Sequence, residues 1–165
     1  MLKKRSLQNK TRPTFEHVYL ILAIELAERS TCKRLKVGCV ITSEDFRYVY
    51  AVGYNGNASG LPNTCDTDEP GKCGCLHSEE NAAINNQSPR SHPKVVFITH
   101  LPCSTCAKRI INLGGVKRLV YINEYRDDSS KNLFKIAGIK IEQWGKILDS
   151  PERFSRVETF IGQNF

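Results

Sequence analysis

Two short motifs of metal-binding residues must meet in the folded chain. His77 stands two residues before Glu79, and Cys103 and Cys106 form a C-x-x-C pair directly after Pro102. One imidazole and two thiolates are three of the four ligands of a tetrahedral zinc, and a site with three protein ligands keeps its fourth position for water or substrate. Zinc lowers the pKa of a bound water towards neutrality, and a nearby carboxylate can accept the proton. The chain therefore has to fold so that both segments reach one metal ion.

The two motifs together are more specific than either one alone. In a chain with seven cysteines, a C-x-x-C pair also occurs in closed zinc ribbons and in redox sites. The proline before the first cysteine and the upstream H-x-E are not expected in a ribbon, and the combination is typical of zinc deaminases of nucleobases. In that pattern the glutamate is a general acid and base and not a ligand. We therefore predict metal ligands at His77, Cys103 and Cys106 and a catalytic Glu79.

Length and apolar patterning predict one cytoplasmic domain. A chain of 165 residues is large enough to bury its own core. Its longest apolar run, residues 18–24, ends at Glu25 and is far shorter than the roughly 18 residues of a membrane span. The basic start is followed by Gln8-Asn9-Lys10 rather than by the apolar region of a signal peptide. We expect a reducing compartment, in which cysteines are metal ligands or buried thiols more often than disulfides.

The net charge of +7 is concentrated at the N-terminus. Five positive charges precede the first acidic residue, Glu16, and they belong to Lys3, Lys4, Arg5, Lys10 and Arg12. A solvated tail explains this distribution better than a nucleic-acid arm does, so nucleic acid is not the expected partner. We predict a basic tail at residues 1–13, a catalytic domain at 14–145 and a helical extension at 146–165.

Hydrophobic periodicity predicts an α/β fold with the element order αββαβαβαβ. The expected helices are 15–29 (after a Thr14 cap), 77–86, 103–113 and 130–137, and the expected strands are 37–41, 48–52, 95–99, 119–122 and 139–141. Alternation of strands and helices implies a partly parallel sheet that is covered on both faces. The Gly114-Gly115 pair is expected to end the third helix in the left-handed conformation.

The predicted fold explains how the two motifs meet. Both motifs fall at the starts of consecutive helices, which follow the carboxyl ends of strands, where α/β sheets place their sites. Helix N-termini also favour thiolate over thiol at Cys103 and Cys106. The loop at 55–76 is long for a compact domain, and loops of that length are usually functional or held by another group.

Over residues 15–145 the chain resembles the cytidine and deoxycytidylate deaminase superfamily, most closely its deoxycytidylate (dCMP) deaminase branch. Beyond the two metal motifs, the resemblance rests on Arg29-Ser30-Thr31-Cys32, Val37-Gly38-Cys39-Val40-Ile41, Gly53-Tyr54-Asn55-Gly56, Glu80-Asn81-Ala82 and Cys106-Ala107-Lys108. The resemblance implies a three-layer α-β-α fold with a five-stranded mixed sheet. It also implies a homo-oligomer, from a dimer to a hexamer.

The activity that this resemblance implies is the hydrolytic deamination of dCMP to dUMP. Water attacks the amine-bearing carbon of cytosine, and Glu79 protonates the ring nitrogen and then the departing ammonia. By the family pattern, Asn55 contacts the base or sugar, Tyr125 lies near the deoxyribose and the backbone of Ser78 contacts the base. Five cations are available for the 5′-phosphate, namely Arg29, Lys33, Arg34, Lys108 and Arg126, and the branch motifs favour Arg29 and Lys108.

Two positions depart from the branch pattern. Ala58 stands where a proline is common in the segment through which some members bind dCTP and dTTP, so control by a nucleotide effector is not assured for this chain. Ser78 replaces a commoner alanine between the ligand histidine and the glutamate.

The remaining cysteines predict a second zinc. Cys39 reads as a small apolar residue within a strand. Several dCMP deaminases have a structural zinc with ligands at the positions of Cys32 and Cys65, and Cys73 and Cys75 lie in the same loop as Cys65. We expect these four thiolates to form a closed site that folds the 55–76 loop over the pocket. The alternative is that they are free thiols.

Two other functions compete with dCMP deamination. The same zinc and glutamate would serve dCTP, a nucleoside or a base in a nucleic acid, although a polynucleotide enzyme would also need a basic groove with stacking aromatics. A zinc-stabilised binding module without catalysis explains the thiols and the basic tail. It gives no reason for an unliganded carboxylate at Glu79.

Overall fold

The computed structural model describes residues 13–69 and 72–144. Within these residues the chain forms four helices and five strands in the predicted order. The helices are α1 (Phe15–Ala27), α2 (Ser78–Asn85), α3 (Ser104–Leu113) and α4 (Ser129–Ile136), and the strands are β1 (Gly38–Ser43), β2 (Val49–Tyr54), β3 (Lys94–His100), β4 (Val116–Asn123) and β5 (Lys140–Gln143). Residues 1–12 of the predicted tail and the predicted extension at 146–165 lie outside the described residues.

The five strands form one mixed sheet in the order β2-β1-β3-β4-β5. β1 is antiparallel to both of its neighbours, whereas β3, β4 and β5 are mutually parallel. Because β1 alone is reversed, β2 runs in the same direction as β3 and β4. The carboxyl ends of β2, β3 and β4 therefore lie at one edge of the sheet, together with the start of β1.

Alternate side chains of the central strands divide the core into two layers. On β3, Val95 and Phe97 pack with α1 on one face of the sheet. Val96 and Ile98 face the other side, where the core contains residues of α2, α3 and α4. A strand that is buried on both faces requires the near-continuous apolar run seen in its sequence. The predicted three-layer fold with helices on both faces is confirmed.

The first turns of α2 and α3 differ from the prediction by one residue. His77 and Cys103 were expected inside these helices, but both are N-cap residues with extended backbone angles. An N-cap residue lies half outside its helix, so its side chain is free to leave the helix surface. His77 and Cys103 can therefore turn towards each other across the gap between the two helices.

The Gly114-Gly115 pair ends α3 with positive φ angles of 76° and 71°. Gly114 combines its positive φ with an extended ψ of 152°, so it does not adopt the left-handed helical conformation that was expected. A Cβ at Gly115 would lie 2.1 Å from the carbonyl oxygen of His92. Glycine is needed here for both reasons, because other residues rarely adopt positive φ and no side chain fits.

Close packing fixes α2 against β2. A Cβ at Gly53 would lie 2.3 Å from the carbonyl oxygen of Ser78 and 2.5 Å from the backbone nitrogen of Ala82. The Asn81 side chain also donates a hydrogen bond to the carbonyl of Tyr54 at 2.8 Å. The start of α2 is thus held at the carboxyl end of β2.

The long loop is closed at its base by a two-residue bridge. Gly56 and Leu76 exchange backbone hydrogen bonds of 3.1 and 2.8 Å.

None of the helices in the described residues is long and apolar enough to cross a membrane.

Candidate active site

The three predicted metal ligands converge where α2 and α3 begin. His77 Nδ1 lies 3.8 Å from Cys103 Sγ and 3.3 Å from Cys106 Sγ, and the three ligand atoms all lie within 4.8 Å of one another. His77 and Cys103 are contributed by the two N-cap positions, and Cys106 by the first turn of α3. The two segments that the sequence required to meet do so at the carboxyl edge of the sheet.

The spacing of these atoms fits a tetrahedral zinc. Zn–S bonds of about 2.3 Å and Zn–N bonds of about 2.0 Å at tetrahedral angles place a nitrogen and a sulfur ligand about 3.5 Å apart. The two measured N–S distances lie on either side of that value. One imidazole with two thiolates is also a donor set that zinc prefers, so the residues fit the metal.

The electrostatics of the cluster favour the thiolate at Cys103 but raise the pKa of the Cys106 thiol, through its hydrogen bond with Cys103 and its burial. Hydrogen bonds from Cys106 and His77 lower the pKa of the Cys103 thiol to about 3. The same partnership with Cys103, reinforced by the negative charge of Glu79, raises the pKa of His77. A thiolate is the form of cysteine that binds metal, and Cys103 is held in that form.

Glu79 lies in the first turn of α2 and is buried, with 5 % of its surface exposed. Burial raises the pKa of its carboxyl group, although hydrogen bonds and the positive charge of His77 oppose the shift. Oε2 accepts a hydrogen bond of 2.9 Å from the hydroxyl of Ser78, which is itself fully buried. A desolvated carboxyl group beside potential metal ligands is an arrangement suited to general acid–base catalysis.

A cavity of about 500 Å³ opens above this cluster. Its walls come from the same sheet edge: Val37 before β1, Asn55 after β2, His100 at the end of β3 and Tyr125 after β4. Ser78 and Glu79 lie on the wall as well. The volume is in the range of pockets that bind small molecules.

Asn55, which the resemblance assigned to the base or sugar, is engaged by the backbone beside the pocket. Its Oδ1 accepts from the backbone N–H of Val37 at 2.8 Å, and its Nδ2 donates to the carbonyl of Leu35 at 2.7 Å. The amide still has one N–H and one lone pair for a ligand. Asn55 therefore shapes the wall and can also contact what the pocket binds.

The cations of the pocket differ from those that the sequence motifs favoured. Arg34 and Arg126 line the cavity, whereas Arg29 and Lys108 are exposed residues outside its lining. The Arg29 guanidinium lies 5.5 Å from the centre of the Tyr54 ring. Lys33, also considered from the sequence, forms an ion pair with Asp68 at 2.9 Å.

His100 is a pocket residue that sequence reasoning missed. It is buried, its Nδ1 lies 3.2 Å from the Thr99 hydroxyl, and its Nε2 lies 3.3 Å from the side-chain nitrogen of Asn123. Burial lowers the pKa of His100 to about 4, which keeps the ring neutral at physiological pH. Its place just before the P-C-x-x-C motif, at the end of a buried strand, was the signal that could have identified it.

The four remaining predicted ligands also cluster. The sulfur atoms of Cys32, Cys73 and Cys75 lie within 4.8 Å of one another, and Cys65 Sγ is 3.7 Å from Cys75 Sγ. Burial acts to raise the pKa of Cys32, but hydrogen bonds from the backbone N–H groups of Leu35 and Arg34 outweigh it and lower the pKa. Cys32, Cys73 and Cys75 also line the cavity, so this cluster forms part of the wall of the candidate active site.

Comparisons with known proteins identify the family. Residues 13–123 match the family model described as the cytidine and deoxycytidylate deaminase zinc-binding region. The deoxycytidylate deaminase of Schizosaccharomyces pombe is 33% identical over 82% of this chain and 46% of its own length. That of Saccharomyces cerevisiae is 33% identical over 86% of this chain and 48% of its own length. The chain thus spans about half the length of these two relatives.

A solved structure extends the comparison to the fold. The dCMP deaminase of cyanophage S-TIM5, crystallised with dCMP and dUMP, superposes with a TM-score of 0.70 at 29% sequence identity, over 81% of this chain and 98% of the phage chain. The resemblance inferred from the motifs is confirmed by these matches. The chain belongs to the cytidine and deoxycytidylate deaminase family.

Proposed function

We propose that the chain is a zinc-dependent deaminase that converts dCMP and water to dUMP and ammonia. The observation that carries this proposal is a group of three potential metal ligands beside a buried Glu79 at the wall of a nucleotide-sized cavity. A purely structural zinc site would not need a desolvated carboxylate next to it. The names of the relatives and the ligands of the phage structure support dCMP as the substrate.

The side chains of the chain divide the chemistry among them. Zinc held by His77, Cys103 and Cys106 would lower the pKa of a water molecule towards neutrality and so supply a nucleophile. Glu79 accepts a proton from that water and delivers it to the ring nitrogen of cytosine beside the reacting carbon. After the water oxygen has bonded to the reacting carbon, Glu79 takes its remaining proton and passes it to the amino group, and the C–N bond breaks to release ammonia. Burial of the carboxyl group favours its protonated form, which assists the donation steps.

The pocket favours a phosphorylated substrate over a free nucleoside. Arg34 and Arg126 both line the cavity, and guanidinium groups bind phosphate oxygens through two parallel hydrogen bonds. The Arg126 guanidinium lies 5.6 Å from the centre of the Tyr125 ring, which holds it beside the site by a cation–π interaction. We place the 5′-phosphate near these two arginines.

A second, structural zinc is part of the proposal. Cys32, Cys65, Cys73 and Cys75 offer four thiolates, the ligand number of a closed tetrahedral site. The loop at 55–76 contributes little to the apolar core, so a metal would supply the free energy that orders it. Because three of these cysteines line the cavity, this zinc would hold the pocket wall in place.

The setting that we propose is a homo-oligomer in a reducing, cytoplasmic compartment. None of the seven cysteines forms a disulfide in the structure, which fits a reducing environment. Phe15 and Val18 of α1 are 49% and 44% exposed, and exposed apolar side chains are common at subunit contacts. Control by a nucleotide effector stays a prediction.

The proposed reaction is tested by ammonia release from a panel of dCMP, dCTP, deoxycytidine, cytidine and single-stranded DNA. We expect dCMP to have the highest kcat/KM. Glu79→Gln should lower kcat by about a thousandfold, because general acid–base groups contribute factors of this order, while zinc content and the circular dichroism spectrum stay unchanged.

The matched control is Glu80→Gln on the same helix. Glu80 pairs with Arg109 on α3 at 3.0 Å, with side chains that are 21% and 45% exposed, and it does not line the cavity, so kcat should change less than about threefold. Normal turnover by Glu79→Gln would refute the mechanism. A preference for single-stranded DNA or a free nucleoside would refute the substrate.

A further inference from the structure

We propose that Ser78 is a positioning residue that orients the carboxylate of Glu79 for proton transfer through its hydroxyl group. This inference rests on the proposed function, because it assigns Ser78 a part in the same reaction. The resemblance assigned only the backbone of Ser78 to substrate binding. Its side chain carries the new role.

The hydroxyl is aimed at the catalytic group and not at solvent. Ser78 Oγ donates a hydrogen bond of 2.9 Å to Glu79 Oε2. Ser78 has no exposed surface and Glu79 has only 5%, so water competes little for either partner. A hydrogen bond to a charged acceptor in such surroundings is stronger than one between neutral groups at a surface.

The carboxylate is restrained by such a partner because its last torsion is soft. The terminal torsion of a glutamate has a broad distribution and does not settle in a single well. A hydrogen bond at Oε2 fixes the plane of the carboxylate and leaves Oε1 to exchange protons with water and substrate. Reaction rates fall steeply when a reacting group samples unproductive orientations.

Ser78 can fix the orientation because its own position is fixed. Its carbonyl oxygen lies so close to β2 that a Cβ at Gly53 would approach it to 2.3 Å. Asn81, in the same helix, is bonded to the carbonyl of Tyr54. The serine side chain has one heavy-atom torsion, so a rigid helix start leaves its hydroxyl little freedom. The packing of α2 against the sheet therefore fixes Ser78, and the Ser78 hydroxyl in turn fixes the orientation of the Glu79 carboxylate.

The first test is Ser78→Ala, with kcat and KM measured on dCMP. Removing a hydrogen bond to a charged group should lower kcat by about 10-fold to 100-fold, with KM within twofold of the wild type and with unchanged zinc content and Tm. The matched control is Ser130→Ala, since Ser130 is equally buried in the first turn of α4. No hydrogen-bond partner for its hydroxyl lies among the described residues, so this variant should keep kcat.

The second test asks whether Ser78 acts through Glu79. In the Glu79→Gln background the carboxylate is absent, so adding Ser78→Ala should change the residual rate by less than twofold. An equal loss of kcat in both backgrounds would overturn the proposal, and so would a wild-type kcat in Ser78→Ala. A change in KM alone would also overturn it, because it would mark a substrate contact. The wild-type rate on the substrate panel tests the proposed function separately. A chain with no activity on any member would overturn both.

Discussion

Arg126 is the side chain that we propose as a phosphate contact. It lines the cavity beside Tyr125. Arg126→Ala should therefore raise the KM for dCMP by about tenfold. We expect this lower end of the range for a hydrogen bond to a charged group because Arg126 is itself exposed. The KM for deoxycytidine should not change, since that substrate has no phosphate. Steady-state kinetics on the two substrates measure the difference.

Lys108→Ala is the informative comparison for Arg126. The family motifs favoured Lys108 as a phosphate contact, yet it is exposed and outside the cavity lining. If Lys108→Ala raises the KM for dCMP while Arg126→Ala does not, the phosphate lies on the other side of α3 and our placement is wrong.

Individual site residues could be predicted from the sequence only where their chemistry requires a short, fixed spacing along the chain. The convergence of His77, Cys103 and Cys106 could be predicted because zinc accepts few ligand types and helical N-termini present them in short motifs. A phosphate contact has no such pattern, since any of five cations could reach it. The buried position of Lys94 in the core could not be predicted from the sequence either. Its amino group is buried and donates to the carbonyls of Pro89 and His92 at 2.7 and 2.8 Å, which no local pattern indicated.

At the scale of elements, the close approach of α2 to β2 positions the proposed catalytic carboxylate of Glu79. Gly53→Ala would push a methyl group into the backbone of α2, at 2.3 Å from Ser78 O and 2.5 Å from Ala82 N. Backbone atoms cannot move aside as a flexible side chain can, so α2 must shift. We expect a loss of about 2 kcal/mol in the free energy of unfolding and a Tm lower by about 4–8 °C. Because Ser78 and Glu79 move with the helix, kcat should fall well below the wild type even where the variant is fully folded.

The control for this packing effect is Gly56→Ala. A Cβ there would meet only the Thr31 hydroxyl, at 3.4 Å, which is an ordinary contact distance. Thermal unfolding and kcat for this variant should stay near the wild type. Equal losses in both variants would mean that glycine flexibility, and not the approach of α2, matters at these positions.

The order of the elements was predictable, whereas their ends were not. Apolar patterning identified all nine described elements, because most of them bury one face or stripe and the central strand β3 is apolar along its length. The first residues of α2 and α3 were misplaced, since a cap position depends on where the chain turns and not on periodicity. The error affected the site, because His77 and Cys103 are able to face each other as caps.

At the scale of the whole molecule, two cysteine-rich clusters share one cavity. His77 and Cys103 of the first cluster line it, and so do Cys32, Cys73 and Cys75 of the second. The sequence alone could not decide whether these thiols bind metal, because their meeting depends on how the loop after β2 returns to the end of α1. The structure brings them together through the bridge between Gly56 and Leu76.

The stability of the molecule should therefore depend on two zinc ions that have different roles. We expect the purified chain to contain two equivalents of zinc, measured by atomic emission. Cys75→Ser should lose one equivalent and keep the catalytic one, because its sulfur is close to Cys65 and not to His77. Tm should fall, since binding of a structural metal contributes directly to folding. Activity on dCMP should decrease as the pocket wall loosens.

Cys39→Ala is the control, because Cys39 lies buried within β1 outside both metal-binding groups, and it should keep both zinc ions. If the wild-type chain contained one equivalent of zinc and Cys75→Ser contained the same amount, the second site would be contradicted. The proposed catalytic zinc would then be the one metal ion that the chain binds.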